Sequence, residues 1–285
     1  MVDLSLVVPT YARAERIDQL AERLRSLGDP PQEIIVVAGD PASARRAARQ
    51  DLPGLRVLEV ENRNAGSSRN AGWRAASSTL VAFLDDDCLP GPAWAKAVRA
   101  AMKDGTAGAA GGPVSNAGAR GLLGRVAQTW LDRRYDPGDA PWLASQNLVV
   151  RRQVLEATGG FDEALATYED VDLSFRIRAA GSRLVRDPEM VVEHRHRDTL
   201  RGFLRQHHGY GRGFTAIARK HPDWDQASRA PLTRIGRARA LALALGRPFA
   251  CAAGMERATD RVASLPLFAL REAAFLAGAL REARA

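Results

Sequence analysis

A chain of 285 residues, 46% of them hydrophobic, can hold one large domain with a sizeable core, or one domain plus a helical appendage. The formal charge is +8, yet nearly all of it is arginine spread along the chain; the only lysines are Lys96, Lys103 and Lys220, and aromatic residues make up 6%. That pattern excludes a basic stripe interleaved with stacking aromatics, so nucleic acid is not an expected partner. Cys88 and Cys251 stand far apart and form no CxxC pair. A structural zinc site or disulfide framework is therefore not expected, in keeping with a cytoplasmic, reducing compartment. The first residues run straight into a strand with no basic or cleavable segment, and no uncharged apolar run approaches about 18 residues. Neither a leader nor a transmembrane helix is expected.

Taken in chain order, residues 4–8 read as a first strand, closed by Pro9-Thr10-Tyr11. Residues 14–27 carry Ile17, Leu20, Leu24 and Leu27 at helical spacing. Strands follow at 33–37 and 56–60, with a short helix at 43–50 between them and another at 70–76. Residues 80–84, Leu-Val-Ala-Phe-Leu, are apolar without alternation and predict a strand buried on both faces of a mainly parallel sheet. Strands alternating with helices imply βαβ units. A Gly-rich stretch at 105–121 surrounds a short strand near 107–114. Residues 132–141 read as a mobile surface loop, 144–150 as a strand, and 169–179 as a helix with acids first and arginines last. On the plainer reading Glu169 and Asp170 are ordinary first-turn acids, with Asp172 pairing to Arg176 one turn later. From about residue 199 the chain is helical. Ile235, Ala238, Leu241, Ala242 and Leu245 form an apolar stripe edged by arginines, and residues 267–280 are similarly amphipathic. These two segments fit either a cap packed on the protein's own core or a peripheral contact with an anionic membrane.

The chemistry concentrates where the central strand ends, in Asp85-Asp86-Asp87. Open α/β sheets bind ligands at the carboxyl ends of their strands. Three carboxylates there repel one another, and burial raises that cost unless a cation is present. Hard divalent ions take oxygen ligands and leave room for substrate phosphates. An acidic turn before the breaker Pro90-Gly91-Pro92 is the plainer alternative.

The rest of the chain adds Val8-Pro9-Thr10-Tyr11, Asn64-Ala65-Gly66, Arg69-Asn70-Ala71-Gly72, Pro90 and Trp94. After these come Asn147, Gly159-Gly160-Phe161-Asp162-Glu163, Glu169-Asp170-Val171-Asp172-Leu173 and His194. In this order the residues resemble a family 2 glycosyltransferase of the GT-A fold, over roughly residues 4–200. The resemblance implies a catalytic domain at 1–225, with a helical extension at 226–285 outside it. It implies that Asp87 binds a divalent metal, Mn²⁺ or Mg²⁺, with His194 (or His196) completing the sphere. It places Asp85 at the nucleotide's ribose or base, Asp86 at the variable position, and Arg69 and Asn70 near the phosphates. Pro9, Thr10 and Tyr11 belong to the same nucleotide-sugar site. The acids usually found after the second strand are reduced here to Asp40, which implies shifted nucleotide recognition. Glu169 and Asp170 resemble the pair that supplies the catalytic base, with Asp170 the expected base. As first-turn acids they are expected to stay ionised.

The activity so implied is inverting, non-processive transfer from a nucleotide-diphosphate sugar to a carbohydrate or lipid-linked acceptor, in cell-envelope glycan, polysaccharide or glycolipid assembly. The expected place is the cytoplasm or the inner face of the membrane. The segment 203–213 resembles one that non-processive members carry, and its glycines are expected to let backbone approach substrate. The rival readings are a nucleotidyltransferase and a catalytically silent sugar-nucleotide-binding protein. The first would show a Gly-rich phosphate loop after the first strand, where this chain has Pro9-Thr10-Tyr11-Ala12-Arg13.

Overall fold

A computed structural model describes residues 3–61, 64–116, 121–132, 138–196, 199–224, 226, 230–232, 234–253, 255 and 258–285. In chain order the elements are β1 Leu4–Thr10, α1 Ala14–Arg25, β2 Glu33–Ala38, α2 Pro41–Ala48, β3 Leu55–Glu59, α3 Ala65–Ala75, β4 Leu80–Leu84 and β5 Cys88–Pro90. They continue through α4 Trp94–Ala101, β6 Ala107–Gly111, β7 Val114–Asn116, α5 Leu122–Asp132, β8 Gly138–Asp139, β9 Asn147–Arg151, α6 Arg152–Thr158 and α7 Glu169–Ala179. The last are β10 Arg183–Arg186, β11 Val192–His194, α8 Leu200–Lys220, α9 Arg234–Ala253 and α10 Ala258–Ala283.

Two compact units result. The first takes Met1–Ser115, Tyr135–Ala164 and Glu169–His194. Its eight-stranded sheet runs β3-β2-β1-β4-β9-β6-β10-β8. β3, β2, β1, β4, β6 and β10 point one way, and β9 and β8 the other. All five residues of β4 are buried, because the strand lies inside the sheet with helices on both faces. The pleat sends Leu80, Ala82 and Leu84 to a core with Leu4, Leu6, α1 and α4. Val81 and Phe83 go to the opposite core, with Val7, Trp73 of α3 and Leu173 of α7. A second, three-stranded sheet runs β5-β11-β7. In it His194 of β11 stands opposite Cys88 of β5.

The second unit takes Asn116–Arg134, Leu165–Tyr168 and Arg195–Ala285 and is helical, built on α5, α8, α9 and α10. α10 packs on α8, α9 and α5. The residue 225 boundary and residues 117–120 and 133–137 of the expected Gly-rich and loop segments lie outside the described residues.

Some expectations change. α3 starts five residues before the expected residue 70, because Asn64 and Ser67 form a reciprocal capping box. One helix does meet the length and composition of a membrane span among the described residues, Thr259–Ala283. Its middle carries Arg271 and Glu272, paired with each other, so it is not an uncharged run. Gly211 and Gly213 serve helix packing and not substrate approach. A Cβ on Gly211 would overlap the Phe275 carbonyl of α10, and one on Gly213 would overlap the Thr167 side chain.

Candidate active site

The acidic triplet lies where β4 hands the chain to β5, beside the carboxyl end of β1. Its counter-charge comes first from within the chain. Arg13, the residue before α1, donates from Nη1 to Asp86 Oδ1 and Asp87 Oδ2, at 3.1 Å each. Arg16 Nη1 donates to Asp87 Oδ2 at 2.6 Å. Thr10 Oγ1 donates to Asp86 Oδ2 at 2.9 Å. Arg69 Nη2 donates to Asp85 Oδ1 at 2.6 Å. Arginine therefore meets part of the repulsion that had called for a metal. Burial and the charge of Asp87 push the Asp86 carboxyl up. Burial alone would raise Asp87 as well, but His194, Arg16 and Arg13 outweigh it and hold that carboxyl well below the usual range.

β11 returns His194 to the triplet. His194 Nε2 lies 3.5 Å from Asp87 Oδ1, and Cys88 Sγ lies 3.9 Å from the same oxygen. One ligand atom from each of the three residues falls within 4.8 Å of the others, a spacing that could hold a metal ion. The donor set fits an ion that accepts both carboxylate and imidazole, Mn²⁺ more readily than Mg²⁺. Cys88 had been expected to be a bystander; it joins the cluster, but burial pushes its thiol well up and keeps it neutral, a poor ligand. His196 is engaged elsewhere, 3.0 Å from Gln128 Oε1 in the helical unit.

Arg69 joins the triplet to the second acidic group. Its guanidinium is buried, lies 5.5 Å from the Phe161 ring centroid, and donates from Nη1 to Glu169 Oε1 at 2.6 Å. Its Nε is buried without a hydrogen-bond partner. Burial opposes the charge on Arg69, but Asp85 and Glu169 more than restore it and raise its pKa. The expectation that the α7 acids stay ionised through the helix dipole needs correcting for Glu169. Burial and neighbouring Asp170 push its carboxyl up to about 7, against the pull of Arg69. Asp170 is half-buried; its Oδ2 accepts from the Ser145 N–H at 3.0 Å and its Oδ1 from the Val171 N–H at 2.8 Å. Tyr168, directly before this pair, has a φ of 67°, uncommon for a bulky residue and of the kind that clusters at functional sites.

Two expected nucleotide residues have structural employment. The Asn70 amide is fully used: it donates to the Phe161 carbonyl and to Glu163, and accepts from Trp73 Nε1 and the Phe161 N–H. Asp40 caps α2, accepting from the Ala42 and Ser43 N–H groups and the Ser43 hydroxyl, and also from the Ala12 N–H. Its partners, chiefly the Ser43 hydroxyl, hold its carboxyl below the usual range. Asn147 and Trp94 hydrogen-bond each other at 2.9 Å. Pro9 pairs with Val37 inside the sheet, while Tyr11 is exposed. Sequence reasoning missed Arg13 and Arg16. The available signal was two arginines three residues apart, opening the first helix beside the strand that ends in the triplet.

Residues 5–157, more than half the chain, match the model of glycosyl transferase family 2. The chain belongs to that family. It is 30% identical over 235 residues to the pre-mycofactocin glycosyltransferase of Mycobacterium tuberculosis, a match covering 78% of this chain and 48% of that protein. It is 25% identical over 246 residues to the succinoglycan biosynthesis protein ExoA of Rhizobium meliloti, covering 76% of this chain and 70% of that one. This glycosyl transferase family 2 chain thus spans about half the length of the first of these relatives. A mannosyltransferase from Pyrobaculum calidifontis, solved in complex with GDP-Man and Mn2+, has the same fold: TM-score 0.65 at 19% identity, over 99% of this chain and 89% of that one. Residues 1–349 of TarS from S. aureus, in complex with UDP-GlcNAc, give 0.58 at 13% identity over 98% and 92%. The fold is GT-A.

Proposed function

We propose that this chain is an inverting, metal-dependent, non-processive glycosyltransferase. On this reading it moves a sugar from a nucleotide-diphosphate donor to an acceptor hydroxyl on a carbohydrate or lipid-linked acceptor, on the cytoplasmic side. The observation that carries the proposal is the pairing of two acidic groups through one buried arginine, Asp85 and Glu169 on Arg69, with His194 against Asp87 beside them. The relative named for succinoglycan biosynthesis supports a place in polysaccharide assembly.

Asp87 and His194 are the residues that would hold the divalent ion. Such an ion supplies Lewis-acid stabilisation of charge developing on the departing diphosphate. Arg13 and Arg16, on the same carboxylates, supply further positive charge at that end. Thr10 holds Asp86 and Arg69 holds Asp85, so these two carboxylates are oriented before the donor arrives.

Asp170 takes the proton from the acceptor hydroxyl. It is the more accessible of the two α7 acids, and two backbone N–H groups orient it. Glu169 is buried and tied to Arg69, so its part is to hold that end of α7. A single displacement needs only this one base, worth roughly 10²–10⁴-fold in rate.

A thermal-shift panel of nucleoside diphosphates and nucleotide sugars, each with and without Mn²⁺ or Mg²⁺, tests the reading. A donor at 100 times its dissociation constant should add about 2.7 kcal/mol of stability, and only with the ion. A panel with no metal-dependent shift would overturn it.

A further inference from the structure

The second unit has an apolar core that includes Val126, Phe203, Cys251, Met255 and Phe268, yet it carries apolar faces on its outside as well. On α9 the exposed residues include Ala238, Leu241, Ala242, Leu245, Phe249 and Ala250, a continuous apolar face at helical spacing. Leu241, Leu245 and Phe249 are 53%, 68% and 67% exposed. On α10 the exposed residues include Val262, Pro266, Leu270, Ala273 and Ala277, again one apolar face. Val262 is 71% exposed and Leu270 44%. Several charges turn to the inner side. Arg271 and Glu272 are buried and paired with each other, and Arg247 Nη1 stands 3.6 Å from Glu272 Oε2. Asp260 is buried against Arg125 of α5, at 2.8 Å. Helices exposed to water alone would show the reverse arrangement. Scattered exposed leucines are ordinary, but two aligned apolar faces mark an interaction surface.

We propose that these two faces seat on an anionic lipid surface. The rim around them is cationic: Arg237 and Arg239 are exposed along the first half of α9, and Arg261, Arg281 and Arg284 at the ends of α10. Apolar residues enter the acyl boundary while arginines meet anionic headgroups. The same rim disfavours a second copy of this chain, since a two-fold contact would set like charges against themselves. The helices lie along the surface and do not cross it. The other side of α10 is committed to α8: a Cβ on Gly278 would overlap the His208 carbonyl, and one on Gly211 the Phe275 carbonyl. This inference does not rest on the donor chemistry.

Vesicle flotation tests it with the full chain. Vesicles of phosphatidylcholine alone are compared with vesicles of about one-third phosphatidylglycerol, at about 0.1 M salt, where charges reach roughly 10 Å, and at several times that concentration. The chain should float with the anionic vesicles, less so at high salt. L245E and F249E should each cut partitioning by about tenfold or more, as loss of one large buried apolar side chain implies. L200E, at an exposed leucine outside both faces, should float like the parent. Circular dichroism confirms that each variant keeps its helices. No flotation with either vesicle, or flotation unchanged by L245E and F249E, overturns the proposal. So does a lipid-free dimer that L245E dissolves, because a second copy would then be the occupant.

Discussion

Replacing Arg69 by Met keeps most of the packing against Phe161 but removes the one cation shared by Asp85 and Glu169. Both bonds are 2.6 Å. The two carboxylates differ in what they can do when abandoned. Asp85 is 32% exposed and can rehydrate, so its pair contributes about 0–1 kcal/mol. Glu169 is 9% exposed, and stripping a buried charge of its partner costs about 3–5 kcal/mol while the charge remains. It need not remain. With its carboxyl already at about 7 against an ordinary 4.5, Glu169 accepts a proton readily.

The sign follows from that shift. An acid whose folded value is raised adds stability below its unfolded value, and that stability is lost as pH rises through the folded value. In the parent the window runs from 4.5 to about 7. Losing Arg69 removes the positive charge that pulls Glu169 down, so the loss continues above 7 in the variant. The expected destabilisation is about 2–3 kcal/mol near pH 6, growing by up to about 1.4 kcal/mol for each unit the Glu169 value rises once the pH exceeds it. Urea unfolding of both proteins at about pH 6 and about pH 8.5 measures the difference. A cost below about 1 kcal/mol at both pH values would mean that the bridge behaves as a hydrated surface pair, and the reasoning fails. Adding Glu169→Gln to Arg69→Met should recover part of the loss at the higher pH, because no buried charge is left behind.

Asp87→Ala should abolish the metal-dependent part of donor binding in calorimetry, and unchanged affinity with Mn²⁺ would refute its role as ligand. Asp170→Asn should leave donor binding near that of the parent while cutting transfer by roughly 10²-fold or more in a product assay. A larger loss in Glu169→Gln with Asp170→Asn still active would move the base to the buried acid. Gly160→Ala should destabilise by about 1–3 kcal/mol in thermal unfolding. Gly160 has a φ of 75°, and a Cβ there would overlap both the Trp73 indole nitrogen and the Asn70 side-chain Oδ1. A neutral substitution would show that the turn can move off α3.

β4 was legible because a strand buried on both faces leaves an unbroken apolar string of strand length. α7 was legible through its acids and arginines, and the Asp172–Arg176 pair is present at 2.8 Å. The start of α3 was not, because Gly66, Ser67 and Ser68 read locally as a loop until the Asn64 cap is counted. The pairing of His194 with Cys88 was illegible for a different reason. Strands of three residues carry no periodicity, and the register joins segments more than a hundred residues apart. Asn70 was expected near the phosphates through the resemblance; only the fold reveals that the Phe161 backbone engages its amide on both sides. For α9 the sequence displayed the stripe but not its direction. Periodicity says that a helix has an apolar side and says nothing of whether that side meets protein or something else.

The site's charge balance is the argument that binds its parts. Asp85, Asp86, Asp87, Glu169 and Asp170 are five carboxylates, and Arg13, Arg16 and Arg69 are the three guanidiniums that contact four of them. With all five acids ionised, the cluster carries an excess of two negative charges. Two more arginines would have neutralised the site and left nothing for a cation to do; none at all would have left the buried triplet to repel itself apart. On the proposed reading, one divalent ion would meet that formal excess. The excess also sets a condition on the donor, whose diphosphate is anionic and would add to the repulsion if it entered alone. Arg13 and Arg16 can face those phosphates only if the carboxylates they now neutralise find another counter-ion, and Asp87 is the carboxylate that both arginines share with His194. On the proposed reading, donor and divalent ion are therefore coupled through Asp87, and the arginines of α1 are the groups whose partners would change when both bind.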